Sequence, residues 1–555
     1  METRSALVYI PGRPFELRAL LPCRDLATMA GALLAKGHAT CIHDYGTVSV
    51  AARMYPGDYP EDIAGPAERQ GGTQWRTRRL CRAFLTKQSQ HCQEIAEGLA
   101  ATPPLDFVVF RIDQAADVGP SVEVANHLRQ HRPAMRLVAA GRFSALYSTY
   151  LLRETEVFDC ACLGDAEHAL VAWANRIDEA GQWSQVPNLC YRLNGVVRKT
   201  RRQAVADLSN GPRPQYAPSV YPALRKSGEK LRLFEIEDSR GCTCVSDPFY
   251  APNTGGHVFL KPPEEVLSEI SDLRALYGAR AFHLCGTGSP TSHLAALSHA
   301  LRKHTTDLMY TRSASVAFLS ATIASLLRDS GCAGLALQID SGSQRLLEDH
   351  YGHEIGVSQI ERVMAACREV GLQTLARLTF PIPEDDYHTR AETLRLMERT
   401  KPDATAISAP CVVPGSVWYA EANEFGFQLD ARRLLWQAAR ETGPLSSGAS
   451  DDIGLPMKIG TRSRRQVARD RQDLLDAMEE LGLTTCSSTE IAMTNASLEE
   501  AAIEDQPASR LQRHLLTGDT QAAIRIVKDI NAVTCQPRRL VRLRPYHTLR
   551  IAVGN

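Results

Sequence analysis

The feature that most constrains the fold is a regular alternation of short apolar runs with amphipathic stretches across the middle of the chain. Six apolar runs are separated by helix-period stretches, and they lie at residues 231–236, 281–285, 308–312, 335–340, 372–380 and 404–409. Strands and helices that alternate in this way form a parallel sheet. The pattern predicts a partial (β/α)6 barrel rather than a full eight-stranded one, with its site at the carboxyl ends of the strands.

The first third of the chain shows the same alternation. Its apolar runs lie at residues 6–10, 39–44, 107–111, 135–141 and 160–164. This pattern predicts a doubly wound, Rossmann-like parallel sheet with helices on both faces, and such sheets bind ligands beyond the carboxyl ends of their strands. No Gly-x-Gly-x-x-Gly sequence follows the first run, which disfavours a dinucleotide cofactor.

The last quarter of the chain is polar and helical. Helices are predicted at 465–482 and at 510–531, the second interrupted by Gly518-Asp519. We therefore predict an α/β protein of three domains, with boundaries at residues 1–222, 223–425 and 426–555. The first is the Rossmann-like domain with a linker, the second the partial barrel, and the third a mainly helical C-terminal domain.

Composition excludes several classes of partner. Lys and Arg number 63 and Asp and Glu number 63, so no net charge favours nucleic acid or an anionic membrane surface. No apolar stretch approaches the roughly 20 residues that span a bilayer, and residues 6–10 are too few for a signal-peptide core. We expect a cytoplasmic protein. Most of its 15 cysteines are best interpreted as small buried apolar residues.

A loop that follows the first run of the predicted barrel carries the strongest chemical signal. It reads Asp238-Ser239-Arg240-Gly241-Cys242-Thr243-Cys244. The Ser-Arg-Gly-Cys start resembles the loop by which radical S-adenosylmethionine (SAM) enzymes bind a [4Fe-4S] cluster with a Cys-x3-Cys-x2-Cys spacing. Counted from Cys242, the second and third cysteine positions are Ser246 and Phe249, which cannot act as thiolate ligands.

This departure leaves the cluster open to two interpretations. Cys242 and Cys244 supply two thiolates, and Cys285 and Cys411 at predicted strand ends are candidates to complete an atypical cluster. The other interpretation is that Cys242 is a remnant, Cys244 is an unrelated loop residue, and no cluster binds.

Three loops in the first third are similar to the cobalamin-binding domain of class B radical SAM enzymes. They match in position that domain's Pro-Pro, Gly-Gly and Gly-Glu-Gly-Glu loops, and they read Pro11-Gly12, Ala140-Gly141-Arg142 and Leu163-Gly164-Asp165-Ala166-Glu167. The resemblance implies that cobalamin contacts Pro11, Gly12, Ala140, Gly141, Arg142, Gly164, Asp165 and Glu167. Small residues suit a corrin ring because it requires close backbone approach. No Asp-x-His-x-x-Gly sequence is present, so the resemblance implies no axial histidine; a nucleotide-type domain is the alternative.

Residues 331–344 are similar to a strand and turn of the radical SAM core, Gly-Cys-x-Gly followed by Gly-x-Glu-Ser-Gly-Ser. Here Gln338 stands where Gly is common, and Asp340 replaces Glu. The resemblance implies that Gln338, Asp340, Ser341 and Gly342 contact the ribose and carboxylate side of SAM.

Two further positions bear on the binding of SAM. Arg312 ends the third predicted strand, where it either pairs with the methionine carboxylate or forms a salt bridge across the barrel mouth. The second strand ends in Cys285-Gly286-Thr287-Gly288, where the resembled family has acidic residues near the methionine amine.

Together these resemblances imply an enzyme that binds cobalamin and uses SAM, and we predict a methyltransferase of specialised metabolism. Without a standard cluster, the methyl group would travel through cobalamin by a polar, two-electron route that needs a reductant or partner enzyme to keep cobalamin reduced. Two alternatives are radical methylation or rearrangement with an atypical cluster, and a non-catalytic cobalamin-binding partner protein. The substrate is a small molecule of unpredicted identity, and the sequence does not identify catalytic residues.

Overall fold

The computed structural model describes most of the chain. The described residues are 2–55, 78–102, 104–203, 208–209, 211–241, 257–304, 307–351, 355–408, 410, 412–429, 457–485, 489–499 and 506–535.

The first sheet contains seven strands: β1 (Arg4–Tyr9), β2 (Ala39–Asp44), β3 (Phe107–Arg111), β4 (Arg136–Ala140), β5 (Cys160–Cys162), β6 (Leu189–Leu193) and β7 (Val196–Lys199). Their order is β2-β1-β3-β4-β5-β6-β7. The five predicted strands are present and parallel, but the β6–β7 hairpin pairs antiparallel with β5, so the sheet is mixed rather than purely parallel. The order places a topological switch point, where such sheets bind ligands, between β1 and β3.

Helices cover both faces of this sheet. They are Leu17–Leu20, Arg24–Ala35, Val48–Met54, Arg78–Ala101, Val118–His131, Arg142–Thr155 and Ala166–Ala174, with 3-10 turns at Ala115–Asp117 and Ala180–Gln185. Successive residues of β3 alternate between two cores: Phe107 and Val109 lie in one, Val108 and Phe110 in the other. This explains the continuous apolar run, because a strand covered on both faces has no solvent-facing side.

The second sheet has the six parallel strands that the sequence predicts. In chain order, the strands of this part are β8 (Phe234–Ile236), β9 (Ser239–Arg240), β10 (Phe259–Leu260), β11 (Ala281–Leu284), β12 (Met309–Ser315), β13 (Cys332–Asp340), β14 (Gln373–Thr379) and β15 (Ala404–Ser408). The sheet order is β15-β14-β13-β12-β11-β8, and β9 and β10 form a separate antiparallel ribbon just beyond β8. The order means that each crossover returns to the neighbouring position, as in β/α barrels.

The two faces of the second sheet differ. Its helices are Pro263–Tyr277, Thr291–His304, Ala321–Asp329, Gln344–Tyr351, Val357–Val370, Tyr387–Thr400 and Val417–Ala420, with a 3-10 turn at Val316–Phe318. A further 3-10 turn, Pro222–Leu224, lies in the linker and packs against β2 of the first sheet. Leu335 and Leu337 of β13 share a core with residues of these helices. Ala336, between them, instead packs with Leu375 of β14 and Met493 of a C-terminal helix. We call the face that carries Ala336 and Leu375 the inner face.

The C-terminal region is helical, as predicted. Its elements are the hairpin β16 (Phe427–Leu429) and β17 (Met457–Ile459), and the helices Arg464–Glu480, Thr489–Glu499, Pro507–Thr517 and Thr520–Thr534. The predicted break at Gly518-Asp519 is confirmed: Gly518 ends one helix with φ of +73°, and the Asp519 carboxylate accepts a hydrogen bond from Ala522 N at 3.0 Å. No described helix has the length and apolarity needed to cross a bilayer.

The C-terminal helices pack into the rest of the molecule. Leu511 and Ile526 share a core with Leu20, Val48 and Phe84 of the N-terminal region. The predicted boundaries of the three domains stay a prediction, and this shared core shows that helices Pro507–Thr517 and Thr520–Thr534 pack against the N-terminal region.

A buried ion pair fixes the linker against the first sheet. Lys230 Nζ donates to Asp44 Oδ2 at 2.6 Å, to the Gly46 carbonyl at 2.9 Å and to the Ala19 carbonyl at 3.1 Å. The side chains of Lys230 and Asp44 are 1% and 0% exposed. All three donors of the ammonium group are therefore satisfied away from water.

We expect Lys230→Met to lower the free energy of unfolding by roughly 3–5 kcal/mol, because it leaves the Asp44 carboxylate buried without a cation. Urea denaturation followed by circular dichroism measures the change. Arg53→Met is the matched control, since Arg53 and its partner Glu94 are 65% and 60% exposed, and it should cost less than about 1 kcal/mol. Equal losses for the two variants would contradict this account.

Candidate functional site

The carboxyl ends of the two sheets face each other. Arg18, which follows β1, lies 2.6 Å from Asp113 beyond β3 and 3.9 Å from Glu490 at the start of helix Thr489–Glu499. Arg24, at the start of the next helix, lies 2.9 Å from Glu237 beyond β8. We call the space between these two edges the interdomain gap. Since ligands of both sheet types bind at carboxyl ends, this gap is the candidate site.

Arg240 connects the two edges. Its guanidinium pairs with Glu237 at 2.7 Å, with Glu167 at 2.6 Å and with Asp165 at 3.2 Å. Glu167 and Asp165, predicted as cobalamin contacts, thus bind the residue two positions before Cys242. Burial raises the pKa of Asp165 to about 7 against the attraction of Arg240, and the neighbouring Glu167 adds to the rise. Although burial opposes it, Arg24 and Arg240 hold the pKa of Glu237 well below its usual range.

The remaining predicted cobalamin contacts lie at the same edge of the first sheet. Arg142 N donates to Asp113 Oδ1 at 3.2 Å, and the backbone there continues from the buried end of β4. Pro11, Ala140 and Gly164 are buried at the ends of β1, β4 and β5; β4 and β5 are neighbours in the sheet, and β3 separates β1 from β4. The structure therefore brings these loops together, while their contact with cobalamin stays a prediction.

Packing within the domain accounts for two of the predicted glycines. A Cβ on Gly12 would lie 1.9 Å from the carbonyl oxygen of Ala116. Gly141 has φ of +108°, and its Cβ would lie 2.7 Å from the carbonyl oxygen of Ile112. At both positions, a neighbouring backbone carbonyl of the same chain leaves no room for a side chain. The two glycines therefore do not by themselves indicate a corrin ring.

The sequence left two roles open for Arg312, a contact with the methionine carboxylate of SAM or a salt bridge within the chain, and the structure contains a salt bridge. Arg312 Nη2 lies 3.0 Å from Asp238 Oδ2, and the two side chains are 1% and 0% exposed. Asp238 also accepts hydrogen bonds from Ser289 Oγ at 2.7 Å and from Gly286 N at 3.1 Å. Arg312 therefore holds the start of the 238–241 loop against the loop beyond β11. A contact with the SAM carboxylate stays a prediction.

The structure describes one of the four candidate iron ligands. Cys285 Sγ lies 3.4 Å from Arg24 Nη1 and 3.5 Å from the carbonyl oxygen of Ile236. Burial raises the pKa of Cys285, which favours the thiol over the thiolate that metals bind. Within the described ranges, no group of three or more His, Cys, Asp or Glu side chains is placed to hold a metal ion. Cys242, Cys244 and Cys411 lie outside those ranges.

Asp340, a predicted SAM contact, has an unusual backbone. Its φ is +62°, a region that residues other than glycine seldom adopt outside functional sites. Its Oδ1 accepts hydrogen bonds from Gln338 Nε2 at 2.6 Å and from Thr379 Oγ1 at 2.8 Å. Burial raises the pKa of Asp340 above its ordinary value. The carboxylate is thereby held in place where β13 and β14 end.

The turn after Asp340 is fixed by its own contacts. Gly342 N donates to Thr393 Oγ1 at 2.9 Å, and a Cβ on Gly342 would lie 2.4 Å from the Cα of Thr393. Ser341 Oγ accepts a hydrogen bond from Ser343 N at 3.1 Å. The backbone of this turn is therefore preorganised, although Gly342 N already has a partner.

Sequence reasoning missed a set of titratable residues on the inner face. His283 Nδ1 lies 3.0 Å from Thr311 Oγ1, and burial lowers the pKa of His283 to about 4, so its imidazole is neutral at physiological pH. Glu235 is its partner in the β8–β11 register, and burial raises the pKa of Glu235. Arg377 lies on the same face of β14. Each interrupts an apolar strand as a single polar residue, and that interruption was the available signal.

Comparison with known proteins supports the fold. No family model matches the chain. A curated relative, an uncharacterized methyltransferase of Pyrococcus horikoshii, is 22% identical over 292 residues, which are 51% of this chain and 62% of that protein. The chain thus spans less than two thirds of the relative's length.

Two solved enzymes share the architecture across nearly the whole chain. The radical SAM methyltransferase TsrM from Kitasatospora setae, with tryptophan substrate and a SAM analogue bound, has a TM-score of 0.63 and 15% identity over 93% of this chain and 95% of TsrM. TsrM with cobalamin and a [4Fe-4S] cluster bound has a TM-score of 0.62. The cobalamin-dependent SAM radical enzyme OxsB has a TM-score of 0.54 and 11% identity over 94% of this chain and 72% of OxsB. The predicted resemblance is confirmed for the fold.

We expect Asp165→Asn to stabilise the protein at pH 8 and to have little effect at pH 5. In the folded chain Asp165 is protonated up to about pH 7, whereas an unfolded aspartate ionises near pH ~4. The folded state therefore binds more protons between these values, and wild-type stability falls as pH rises through them. Asparagine removes this loss.

Thermal unfolding of both proteins between pH 5 and 8 measures the effect. Asp178→Asn, which removes an exposed carboxylate, is the control for the loss of one negative charge. A stability difference for Asp165→Asn that shrinks as pH rises would show that Arg240 keeps Asp165 ionised.

Proposed function

We propose that the protein is a cobalamin- and SAM-dependent methyltransferase that methylates a small molecule by polar transfer. One observation carries the proposal: the carboxyl edge of the first sheet faces the carboxyl edge of the second across the interdomain gap, through pairs such as Arg240 with Glu167. Ligands held at the two edges would lie side by side. The TsrM and OxsB structures, which bind cobalamin and SAM or its analogue, support this assignment of the two edges.

The donor set on the second edge fits SAM. Asp340 offers a carboxylate to ribose hydroxyls, and Gln338 beside it offers an amide. On the first edge, the loops beyond β1, β4 and β5 form a row beside the switch point, which is where we place cobalamin. When bound there, cobalamin would supply a centre that can carry a methyl group between donor and acceptor.

Polar transfer needs no net electrons, but it needs a place for a proton. The methyl group leaves the SAM sulfonium without its bonding electrons, and the acceptor loses a proton as the new bond forms, so atoms and charge balance. Glu235 is the side chain best placed to take that proton, because its carboxylate forms no hydrogen bond or close ion pair within the described part of the chain and burial raises its pKa. Neutral His283 lies beside it on β11.

Metal analysis of protein purified and reconstituted without oxygen tests the proposal. About one cobalt per chain without iron supports polar transfer or a binding role, and methyl transfer from SAM in the same preparation separates these two. Cobalt with about four irons per chain favours the radical alternative with an atypical cluster. Absence of cobalt would overturn the cobalamin assignment.

We expect the double variant Cys242→Ala, Cys244→Ala to keep its full cobalt content and its affinity for SAM. Polar transfer does not use these thiols, so their removal should leave both cofactor sites intact. Cobalt analysis and calorimetric titration with SAM measure the outcome. Loss of bound iron in the double variant would instead show that the two cysteines ligate a cluster.

We expect Asp340→Ala to weaken SAM binding roughly ten- to hundredfold, the effect of one or two hydrogen bonds to a charged group, and to leave cobalt content unchanged. Calorimetric titration measures the affinity. Asp329→Ala is the control, because the Asp329 side chain is 54% exposed in a surface ion pair. Wild-type affinity in Asp340→Ala would remove this turn from the SAM site.

A further inference from the structure

Arg377 is a partly buried cation on the inner face of the second sheet. It lies in β14 between Ala376 and Leu378, which are fully buried, and its own side chain reaches the inner face. Within the described part of the chain, its guanidinium forms no hydrogen bond, and no carboxylate lies within 4.0 Å of it. Burial lowers the pKa of Arg377 below its ordinary value.

Arg312 is a buried arginine with a structural role, and its contacts provide a comparison for Arg377. It is 1% exposed, pairs with Asp238 at 3.0 Å and donates to the Gly286 carbonyl at 3.2 Å. A charge removed from water is costly unless an opposite charge and hydrogen bonds replace the water. Arg377 bears part of that cost without the compensation, and a bound anion would supply it.

The surroundings of Arg377 match a zwitterion more closely than a simple anion. Asp340 and Glu490 both attract its guanidinium, and Arg142 from the loop beyond β4 repels it. Arg377 pairs in register with Gln338, so it lies on the strand next to the predicted SAM turn. A cation whose nearest carboxylates lie beyond contact distance can bind the carboxylate of a ligand, while one of those carboxylates binds the ligand's ammonium group.

We infer that Arg377 binds the carboxylate of an α-amino acid group held in the interdomain gap, with Glu490 receiving its ammonium. A guanidinium forms two parallel hydrogen bonds with a carboxylate, which orients the ligand as well as binding it. Two sources share this chemistry: the methionine end of SAM, and a methyl acceptor that is itself an amino acid. The choice between these sources rests on the proposed function.

Calorimetric titration of Arg377→Gln and Arg377→Lys distinguishes the first source. If the methionine carboxylate is the ligand, Arg377→Gln weakens SAM binding roughly ten- to hundredfold, Arg377→Lys weakens it less, and both bind 5′-methylthioadenosine, which lacks the amino acid end, as wild type does. Arg399→Gln, at a 58% exposed side chain, is the matched control. Circular dichroism and thermal unfolding confirm that the variants are folded.

Phenylglyoxal labelling of the wild-type protein, mapped by mass spectrometry, tests the second source. Arg377 should react, and buried, paired Arg312 serves as the unreactive internal reference. Protection of Arg377 by one of the twenty amino acids, tested singly, assigns the carboxylate to the acceptor, and protection by SAM assigns it to the cofactor.

The inference is overturned if Arg377 reacts equally in all cases and Arg377→Gln binds SAM as wild type does, or if Arg377 does not react at all. Failure of the proposed function is separate, since it appears as a wild-type protein that binds neither cobalamin nor SAM.

Discussion

Burial of opposite charges between the two sheets is the constraint on which the rest of the structure depends. Arg240 lies between Glu167 of the first domain and Glu237 beyond β8, and these side chains are 7%, 7% and 8% exposed. An ion left buried without its partner costs several kcal/mol, so none of the three can move alone. Such a network contributes little net stability but specifies one arrangement, and here it fixes how the two carboxyl edges meet.

Charged residues near the gap fall into two groups. Arg240 and Arg312 are paired with carboxylates within the chain and set the positions of loops. Glu235 and Arg377 on the inner face lack such partners in the described residues. Burial raises the pKa of Glu235 and lowers the pKa of Arg377, so in each case it favours the neutral form. Burying an unpaired charged side chain costs free energy, and a ligand of opposite charge would offset that cost when it binds. We therefore expect the inner face to contribute ligand contacts in addition to those of the loops at the two edges.

The order of strands and helices was predictable from the sequence. A strand buried on both faces needs a continuous apolar run, and a helix that covers a sheet needs apolar residues that recur about every 3.6 positions. The all-parallel second sheet and the break at Gly518 followed from these signals. Side-chain partners were not predictable. Arg312 and Arg377 both lie in parallel strands, and only the packed sheet shows that the first meets Asp238. The need for Gly12 also depends on Ala116, which is 104 positions away in the sequence and adjacent in the fold.

One departure from the resembled family follows from this packing. Where that family has acidic residues near the methionine amine, this chain has Gly286, whose Cβ would lie 2.3 Å from Ser239 Oγ. A larger side chain cannot fit, because the 238–241 loop occupies that space and is held by Asp238 and Ser289. An amino acid group in the gap must then be bound from another strand. On our inference, Glu490 would bind the ammonium of such a group, and the inner-face guanidinium of Arg377, on the far side of β13 from β11, would bind its carboxylate.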